Sequence, residues 1–432
     1  MKRKMEKRIE IWKNSKNRMP LLLNGARQVG KTYTALMAGK RFYKNTAYFN
    51  MEDSMEVTEI FERDLDPERI IRELSVRCGE RILEGDTLVI FDEIQASERA
   101  LLSLKYFCEN APGYHIIAAG SLLGVALNRE TYSFPVGKVE MVTMYPMDFE
   151  EFLWALGKED LAGLIRECAE RNGAFSLHDT AMDFYRAYLL VGGMPKVVAD
   201  YTETKDFNFV NAAQKTINDS YIADMAKYAT PNETTKIMNA YNSIPAQLAK
   251  ANKKFQYKVI KSGARAYEYE TPIEWLQSSG VINRCIKVRE GKLPLVAYAE
   301  NETFKIYLTD TGLLCSKFAV PANAVLSEAP AFDGFKGALT ENYICFCLKC
   351  NGYQPYYWES NGKAEVDFVI QNKAGQIIPV EVKAAGNVKA KSLGIFMGKY
   401  DIPYAIRISA KNFGFENKIK SVPLYAAFTI ED

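Results

Sequence analysis

Gly25-Ala26-Arg27-Gln28-Val29-Gly30-Lys31-Thr32 decides how the rest of this chain reads. The stretch has the spacing GxxxxGK[ST]. It follows the apolar run Met19-Pro20-Leu21-Leu22-Leu23, and Tyr33-Thr34-Ala35-Leu36-Met37 after it suits a helix. A strand that ends in a glycine-bearing turn and enters a helix makes a phosphate cradle: glycine lets backbone N–H groups close around the oxygens, and the helix N-terminus favours negative charge. In such a cradle Gly25, Ala26, Arg27, Gln28, Val29 and Gly30 wrap the phosphates. Lys31 reaches the β and γ phosphates, and the Thr32 hydroxyl ligates Mg²⁺. The expectation is a site for ATP with Mg²⁺.

Downstream, Thr46-Ala47-Tyr48-Phe49-Asn50 reads as a second strand. A helix from Ile70 to Leu83 leads through Glu84-Gly85-Asp86 into the run Thr87-Leu88-Val89-Ile90-Phe91, which ends in Asp92-Glu93. An apolar run closed by acids is the pattern of a buried parallel strand whose carboxyl end opens on a ligand. There Asp92 would hold Mg²⁺ through water, and Glu93 would orient and deprotonate the attacking water. An Asp-Glu pair after a strand also suits a helix N-cap, but the upstream loop at this spacing favours the catalytic reading. Another strand, Tyr114-His115-Ile116-Ile117-Ala118-Ala119, ends at Gly120-Ser121. Ser121 is the candidate γ-phosphate sensor, with a strand-terminating turn as the alternative. Lys2 to Lys16 reads as a charged helix that packs on this domain through Met5, Ile9 and Trp12, the alternative being a basic face that touches phosphates.

A chain of 432 residues is too long for one ordinary core and calls for several domains. Its formal charge of +2 means that any nucleic-acid contact must come from a local basic patch. The start Met1-Lys2-Arg3-Lys4 lacks a signal-peptide pattern, and no apolar run could span a bilayer. With the cysteine usage, this gives the expectation of a reducing, cytoplasmic setting and no membrane. Cys345, Cys347 and Cys350 lack a nearby histidine to complete a zinc set and read as a buried helix face.

The order strand, loop-helix, Asp-Glu strand, Gly-Ser strand resembles the AAA+ class of P-loop ATPases. In particular it is similar to bacterial and archaeal members whose ATPase domain precedes a C-terminal domain of unknown function. The resemblance rests on residues 23–32, Phe91-Asp92-Glu93-Ile94-Gln95, Ala119-Gly120-Ser121, Tyr145-Pro146-Met147-Asp148-Phe149-Glu150-Glu151-Phe152 and Gly192-Gly193-Met194-Pro195. It implies ATP hydrolysis and a homo-oligomer in which a neighbour supplies an arginine; Arg129 is a candidate that nothing local singles out. It also implies that Met194-Pro195 packs on the nucleotide base, the alternative for Pro195 being a helix-starting turn.

From Lys236 to about Val288 the order helix, turn, helix, helix, strand suits a winged helix, a segment the resemblance also implies. Lys250, Lys253, Lys254, Lys258, Lys261 and Arg265 alternate there with Phe255, Tyr257, Tyr267 and Tyr269. Such a mixture could neutralise DNA or RNA phosphates, or mediate contact with a protein partner. Further on, Glu341 lies in the helix start Gly337–Ile344. The strands Ala364–Ile370 and Ile377–Lys383 flank the turn Asn372-Lys373-Ala374-Gly375. Alternation puts Glu365 with Asp367 and Glu381 with Lys383, so an aligned register gathers three carboxylates beside one ammonium. With Glu341 this resembles the Asp…Glu-x-Lys core of the PD-(D/E)xK nucleases. The resemblance makes Glu341, Asp367 and Glu381 metal ligands and Lys383 an aid to water activation.

The expected architecture is therefore α/β. It has an AAA+ ATPase domain with a parallel sheet over 1–190, a helical lid or connector over 191–235, a winged-helix-like segment over 236–320 and a nuclease-like α/β domain over 321–432. The expected function is a Mg²⁺-dependent ATPase that positions a nucleic-acid-binding or cleaving module. The alternative is a nucleotide-gated scaffold that binds a protein partner and whose nuclease-like domain is inactive.

Overall fold

The strand Thr87–Asp92 (β3) is buried along its whole length, as its apolar run Leu88–Phe91 requires when both faces of a sheet are covered. Its alternation sorts the surrounding helices. Leu88 and Ile90 face one layer, where they pack with Ile9 and Trp12 of the helix Lys4–Lys13 (α1) and Ala35 and Ala38 of the helix Lys31–Phe42 (α2). Val89 and Phe91 face the other. There they meet Phe61 of Met55–Arg63 (α3), Ile70 and Leu74 of Pro67–Cys78 (α4), and Leu104 and Phe107 of Glu98–Asn110 (α5). Each buried Leu, Ile, Val or Phe among them contributes roughly 1.5–3 kcal/mol.

Around β3 stand Leu21–Asn24 (β1), Asn45–Asn50 (β2), His115–Ala119 (β4) and Glu140–Thr143 (β5) in the order β2-β3-β4-β1-β5, every pairing parallel. The expected helix from Ile70 to Leu83 is displaced toward the N-terminus. Asp66 caps it, Pro67 occupies its first turn, and Gly79 at φ 75 ends it. The edge strand β5 has no apolar run to announce it; alternate residues of Glu140–Thr143 are exposed.

The computed structural model describes residues 1–121, 134–250, 252–327, 333–360, 362, 364–384 and 391–431. Arg129, the candidate arginine finger, lies outside the described residues. The chain divides into two compact units, Met1–Tyr145 with Ser278–Gly280, and Pro146–Gln277 with Val281–Asp432. The first therefore closes well before the boundary expected at 190.

The second unit opens with the helices Phe149–Ala155, Glu159–Arg171, His178–Val191, Pro195–Thr204, Phe207–Tyr228 and Pro231–Leu248, then Tyr257–Ile260 and Ala266–Ser278. Its mixed sheet comprises Ile282–Val288 (β6), Ala299–Leu308 (β7), Tyr356–Ser360 (β8), Ala364–Gln371 (β9), Ile377–Lys383 (β10), Ala405–Ser409 (β11), Gly414–Glu416 (β12) and Ile419–Pro423 (β13). They are ordered β12-β13-β11-β10-β9-β8-β6-β7. The boundary expected at 320/321 is not a break in this sheet, because β6 pairs with β8 through Ile286↔Tyr356 to Val288↔Trp358. β6 also pairs antiparallel with β7, so the strand expected to end the winged-helix segment is continuous with the strands that follow. The helix Asp333–Cys350 lies on β6, β7 and β10, so Glu341 sits in mid-helix and not at the expected helix start. Cys345 and Cys347 are buried on it, and among the described residues no cluster of His, Cys, Asp or Glu is set to hold a metal ion.

Candidate functional site

The turn after β1 is built from positive φ angles: Gly25 at 143, Gln28 at 64 and Gly30 at 91. A Cβ on Gly25 would stand 2.1 Å from the Met144 carbonyl oxygen, so only glycine fits. Gln28 has no such exemption. Its left-handed backbone costs about 1–2 kcal/mol, the kind of strain that collects where a loop must aim its N–H groups.

Lys31, the first residue of α2, is buried, and its Nζ donates to the Gly25 and Ala26 carbonyl oxygens at 2.9 and 2.8 Å. Burial brings its pKa down to about 8, opposed by the nearby Glu93 and Asp92 carboxylates. The Thr32 hydroxyl donates to Asp92 Oδ2 at 2.8 Å, and the Tyr48 hydroxyl donates to the same oxygen at 2.9 Å. The Glu93 backbone N–H donates to Asp92 Oδ1 at 3.1 Å. Thr32 and Asp92 thus present adjacent hard oxygen donors, the kind that Mg²⁺ takes together with waters and phosphate.

Glu93 follows at φ 48, and its Oε2 accepts from Gln95 Nε2 at 2.5 Å and from the Ser121 hydroxyl at 3.3 Å. The structure therefore brings Lys31, Thr32, Asp92, Glu93 and Ser121 to the carboxyl ends of β1, β3 and β4. Ser121 bonds the candidate base. Two participants escape sequence reasoning. Tyr48 carries its signal only as a hydroxyl on a strand beside β3. Arg3, also buried, donates to the Val29 carbonyl at 2.9 Å and to the Tyr145 carbonyl at 2.7 Å, and so ties the turn to the segment after β5.

Two of the resemblance motifs form joints inside the second unit. Asp148 caps the helix Phe149–Ala155 with a capping box to Glu151, and Glu150 makes a two-pronged ion pair with Arg166 at 2.5 and 2.6 Å. Gly193 accepts from Met147 N at 2.7 Å and donates to Asp310 Oδ2 at 2.7 Å; a Cβ there would meet Met147 O at 1.9 Å. Met194 is buried and Pro195 starts the helix Pro195–Thr204. Asp310 itself is buried, caps the helix Thr311–Lys317, and is pushed by burial up to about 6.

On the sheet of the second unit, the β9-β10 register runs from Ile377↔Gln371 to Val380↔Phe368, which brings the next residues, Glu381 and Asp367, alongside each other. The β8-β9 register sets Glu359 opposite Glu365, a like-charge pair that is unfavourable without counter-ions. The counter-ions are lysines. Lys254 pairs with Glu359, Lys305 on β7 with Glu365, Lys253 with Glu341, and Lys383 with Glu381 at 2.6 Å.

Burial pushes Asp367 up to about 7, reinforced by Glu341 and resisted by Lys305. Glu341, despite burial, is held below the usual range by Lys305 and Lys253. Lys305, which burial alone would push down, is held above the lysine range by Glu341, Glu365 and Asp367. Glu381 Oε2 is buried and has no hydrogen-bond partner. The four carboxylates expected from the strands and the helix (Glu341, Glu365, Asp367, Glu381) thus face three lysines (Lys253, Lys305, Lys383) where one, Lys383, was expected. Lys305 had a local signal, a charge inside the apolar strand Phe304–Leu308. Lys253 belongs in sequence to the basic patch, yet it pairs with Glu341, while Lys258, Lys261 and Arg265 are exposed.

Residues 17–153 match the family model described as AAA domain. Residues 182–324 match Domain of unknown function (DUF8612), and residues 336–427 match Domain of unknown function (DUF4143). No curated protein matches the chain. Among solved structures, a Walker-type ATPase of Pyrococcus abyssi is 18% identical over 73% of this chain and 95% of its own, with a TM-score of 0.45. The Aeropyrum pernix ORC1 protein, solved in complex with DNA, is 13% identical over 76% and 91%, with a TM-score of 0.30. The Thermotoga maritima RuvB Holliday junction branch migration motor is 12% identical over 66% and 90%, also at 0.30. Such values add nothing to the assignment, which rests on the family match and the geometry. Among the described residues no helix is long and apolar enough to cross a membrane. Residues 17–153 thus combine a match to the AAA domain model with a parallel sheet and a phosphate-type turn of the P-loop kind.

Proposed function

We propose that this chain is a Mg²⁺-dependent ATPase. ATP would sit on the turn 25–30, with Lys31 on its β and γ phosphates, Mg²⁺ held by Thr32 and Asp92, and Glu93 as the base that takes a proton from the attacking water. One observation carries this reading: Thr32 and Asp92, sixty positions apart in sequence, meet at 2.8 Å beside a buried Lys31. Lys31 supplies charge-assisted bonds to phosphate, each worth about 1.5–3 kcal/mol. Lys31→Ala should therefore weaken ATP binding by about 100-fold in titration calorimetry, with the fold intact by circular dichroism. Equal affinity in wild type and variant would refute the assignment of the site.

The remaining expectations belong to this reading: a cytoplasmic homo-oligomer, Pro195 against the base, and a second unit that contacts DNA, RNA or a protein partner. Two readings of the acid cluster stand. The Asp367, Glu381 and Lys383 pattern favours metal-dependent phosphodiester cleavage. The lysines already paired to Glu341, Glu365 and Glu381 favour a regulatory scaffold with an inactive nuclease-like domain. Metal-dependent cutting by the wild type that disappears in Asp367→Ala selects the first.

A further inference from the structure

The phosphate turn is braced at both ends by the short segment that follows β5. At its start the brace is backbone: Met144 N donates to the Asn24 carbonyl at 2.7 Å, and Gly25 lies against the Met144 carbonyl with no room for a Cβ. At its end the brace is the side chain of Arg3. This residue precedes α1 and is 7% exposed; its Nη1 donates to the Val29 carbonyl at 2.9 Å while its Nη2 donates to the Tyr145 carbonyl at 2.7 Å. α1 holds it there. Arg3 N donates to Glu6 Oε1 at 3.1 Å, Glu6 Oε2 pairs with Arg41 in the last turn of α2 at 2.9 Å, and Ile9 and Trp12 pack with Leu88 and Ile90 of the sheet. Val29 needs such a hold, because it stands between two left-handed residues, Gln28 at φ 64 and Gly30 at φ 91. The Val29-Gly30 peptide is trans, so its C=O and N–H point to opposite sides. With the oxygen turned onto Arg3, the Gly30 N–H is turned away from it, at the start of α2 where the first N–H groups have no acceptor inside the helix.

We infer that Arg3 is a positioning residue for a nucleoside di- or triphosphate: it fixes the Val29-Gly30 peptide so that the Gly30 N–H is presented to the β phosphate before the nucleotide arrives. Arginine suits the task better than lysine, because one planar fork reaches two carbonyl oxygens at once, whereas an ammonium is a point donor on a flexible stem. Pre-organisation of this kind is read as affinity, since the turn does not have to be ordered when the phosphate binds. The inference rests on the reading of the turn 25–30 as the nucleotide site.

The test is calorimetric titration of the full chain with ADP in Mg²⁺ buffer, at a temperature where circular dichroism shows each variant folded, so that lost stability alone leaves the affinity unmoved. Arg3→Met should bind ADP about tenfold more weakly than wild type, and Arg3→Lys, which keeps a donor for one carbonyl, should fall between them. Arg8→Met removes a positive charge from α1, where Arg8 is exposed and pairs with Glu140, and should bind within about twofold of wild type. Where Arg3→Met does not fold, Arg3→Lys carries the comparison, with a loss of about threefold. Equal affinity in wild type and the Arg3 variants overturns the positioning role and leaves the nucleotide site standing. An equal loss in Arg8→Met and Arg3→Met also overturns it, by assigning the effect to the positive charge around α1. Wild type that takes up no ADP overturns the nucleotide reading itself, and the role of Arg3 with it.

Discussion

The two units bury charge in opposite ways. At the nucleotide site charged groups are held by neutral partners: Lys31 by two carbonyl oxygens, Asp92 by the hydroxyls of Thr32 and Tyr48 and a backbone N–H. Neutral partners can be exchanged for phosphate or Mg²⁺ at small cost, because no ion pair has to break. On the second sheet the acids are held by ammonium groups from β7, β10 and a connecting loop. Separating a buried pair exposes the full desolvation penalty of the survivor. The first arrangement is poised for a ligand; the second is neutralised by its own chain until a pair opens.

The sharpest way to break this contrast is Glu93→Gln. ATP turnover should fall by about 10²–10⁴-fold in a phosphate-release assay while ATP binding persists, because only the proton acceptor is lost. Unchanged turnover would mean that the first centre is organised around something other than Glu93. In the second unit, Lys305→Met should lower stability to urea by about 3–5 kcal/mol, because Glu365, Glu341 and Asp367 lose their shared buried cation. A loss under about 1 kcal/mol would show that these acids shed their charge by protonation and do not depend on the lysine.

How much of this was legible in the sequence follows from how far each signal travels along the chain. The buried strand β3 announces itself because both its faces are covered and its interior, Leu88 to Phe91, is apolar throughout. Lys31 and Thr32 are legible because the cradle is one continuous turn, and Asp92-Glu93 because a strand delivers them in succession. The edge strand β5 is half-exposed and exists through its pairing with β1, which no local pattern reports. Arg3 reaches partners 26 and 142 positions away, so its role is invisible until the fold is known. Lys253 was misleading for a related reason. A lysine in a basic, aromatic stretch looks solvent-facing, and only the tertiary placement of Glu341, 88 positions on, turns it inward.

Asp310 tests a charge that has no counter-ion. An aspartate titrates at 3.8 when unperturbed, and burial here raises it to about 6 although it accepts bonds from Gly193 and Leu313 backbone N–H groups. The folded chain thus holds this proton more tightly than the unfolded one. The stability it contributes is full below about pH 4 and is lost as pH rises through 6, by roughly 3 kcal/mol. Asp310→Asn should flatten that part of the stability profile, followed by urea melts between pH 4 and 7. A slope identical to wild type would assign the pH dependence to other groups, the carboxylates on β9 and β10 being first in line.

The smallest effect separates two roles for Ser121. Its hydroxyl donates to Glu93 Oε2 at 3.3 Å, a long bond, worth about 0.5–1.5 kcal/mol at most. If Ser121 acts by orienting Glu93, Ser121→Ala lowers turnover up to about tenfold with equal affinity for ATP and ADP, since the ground state is untouched. If it senses the γ phosphate, the variant loses affinity for ATP and keeps it for ADP, because only ATP presents that group. Calorimetry with both nucleotides, beside a turnover assay, decides which side of the active centre this hydroxyl serves.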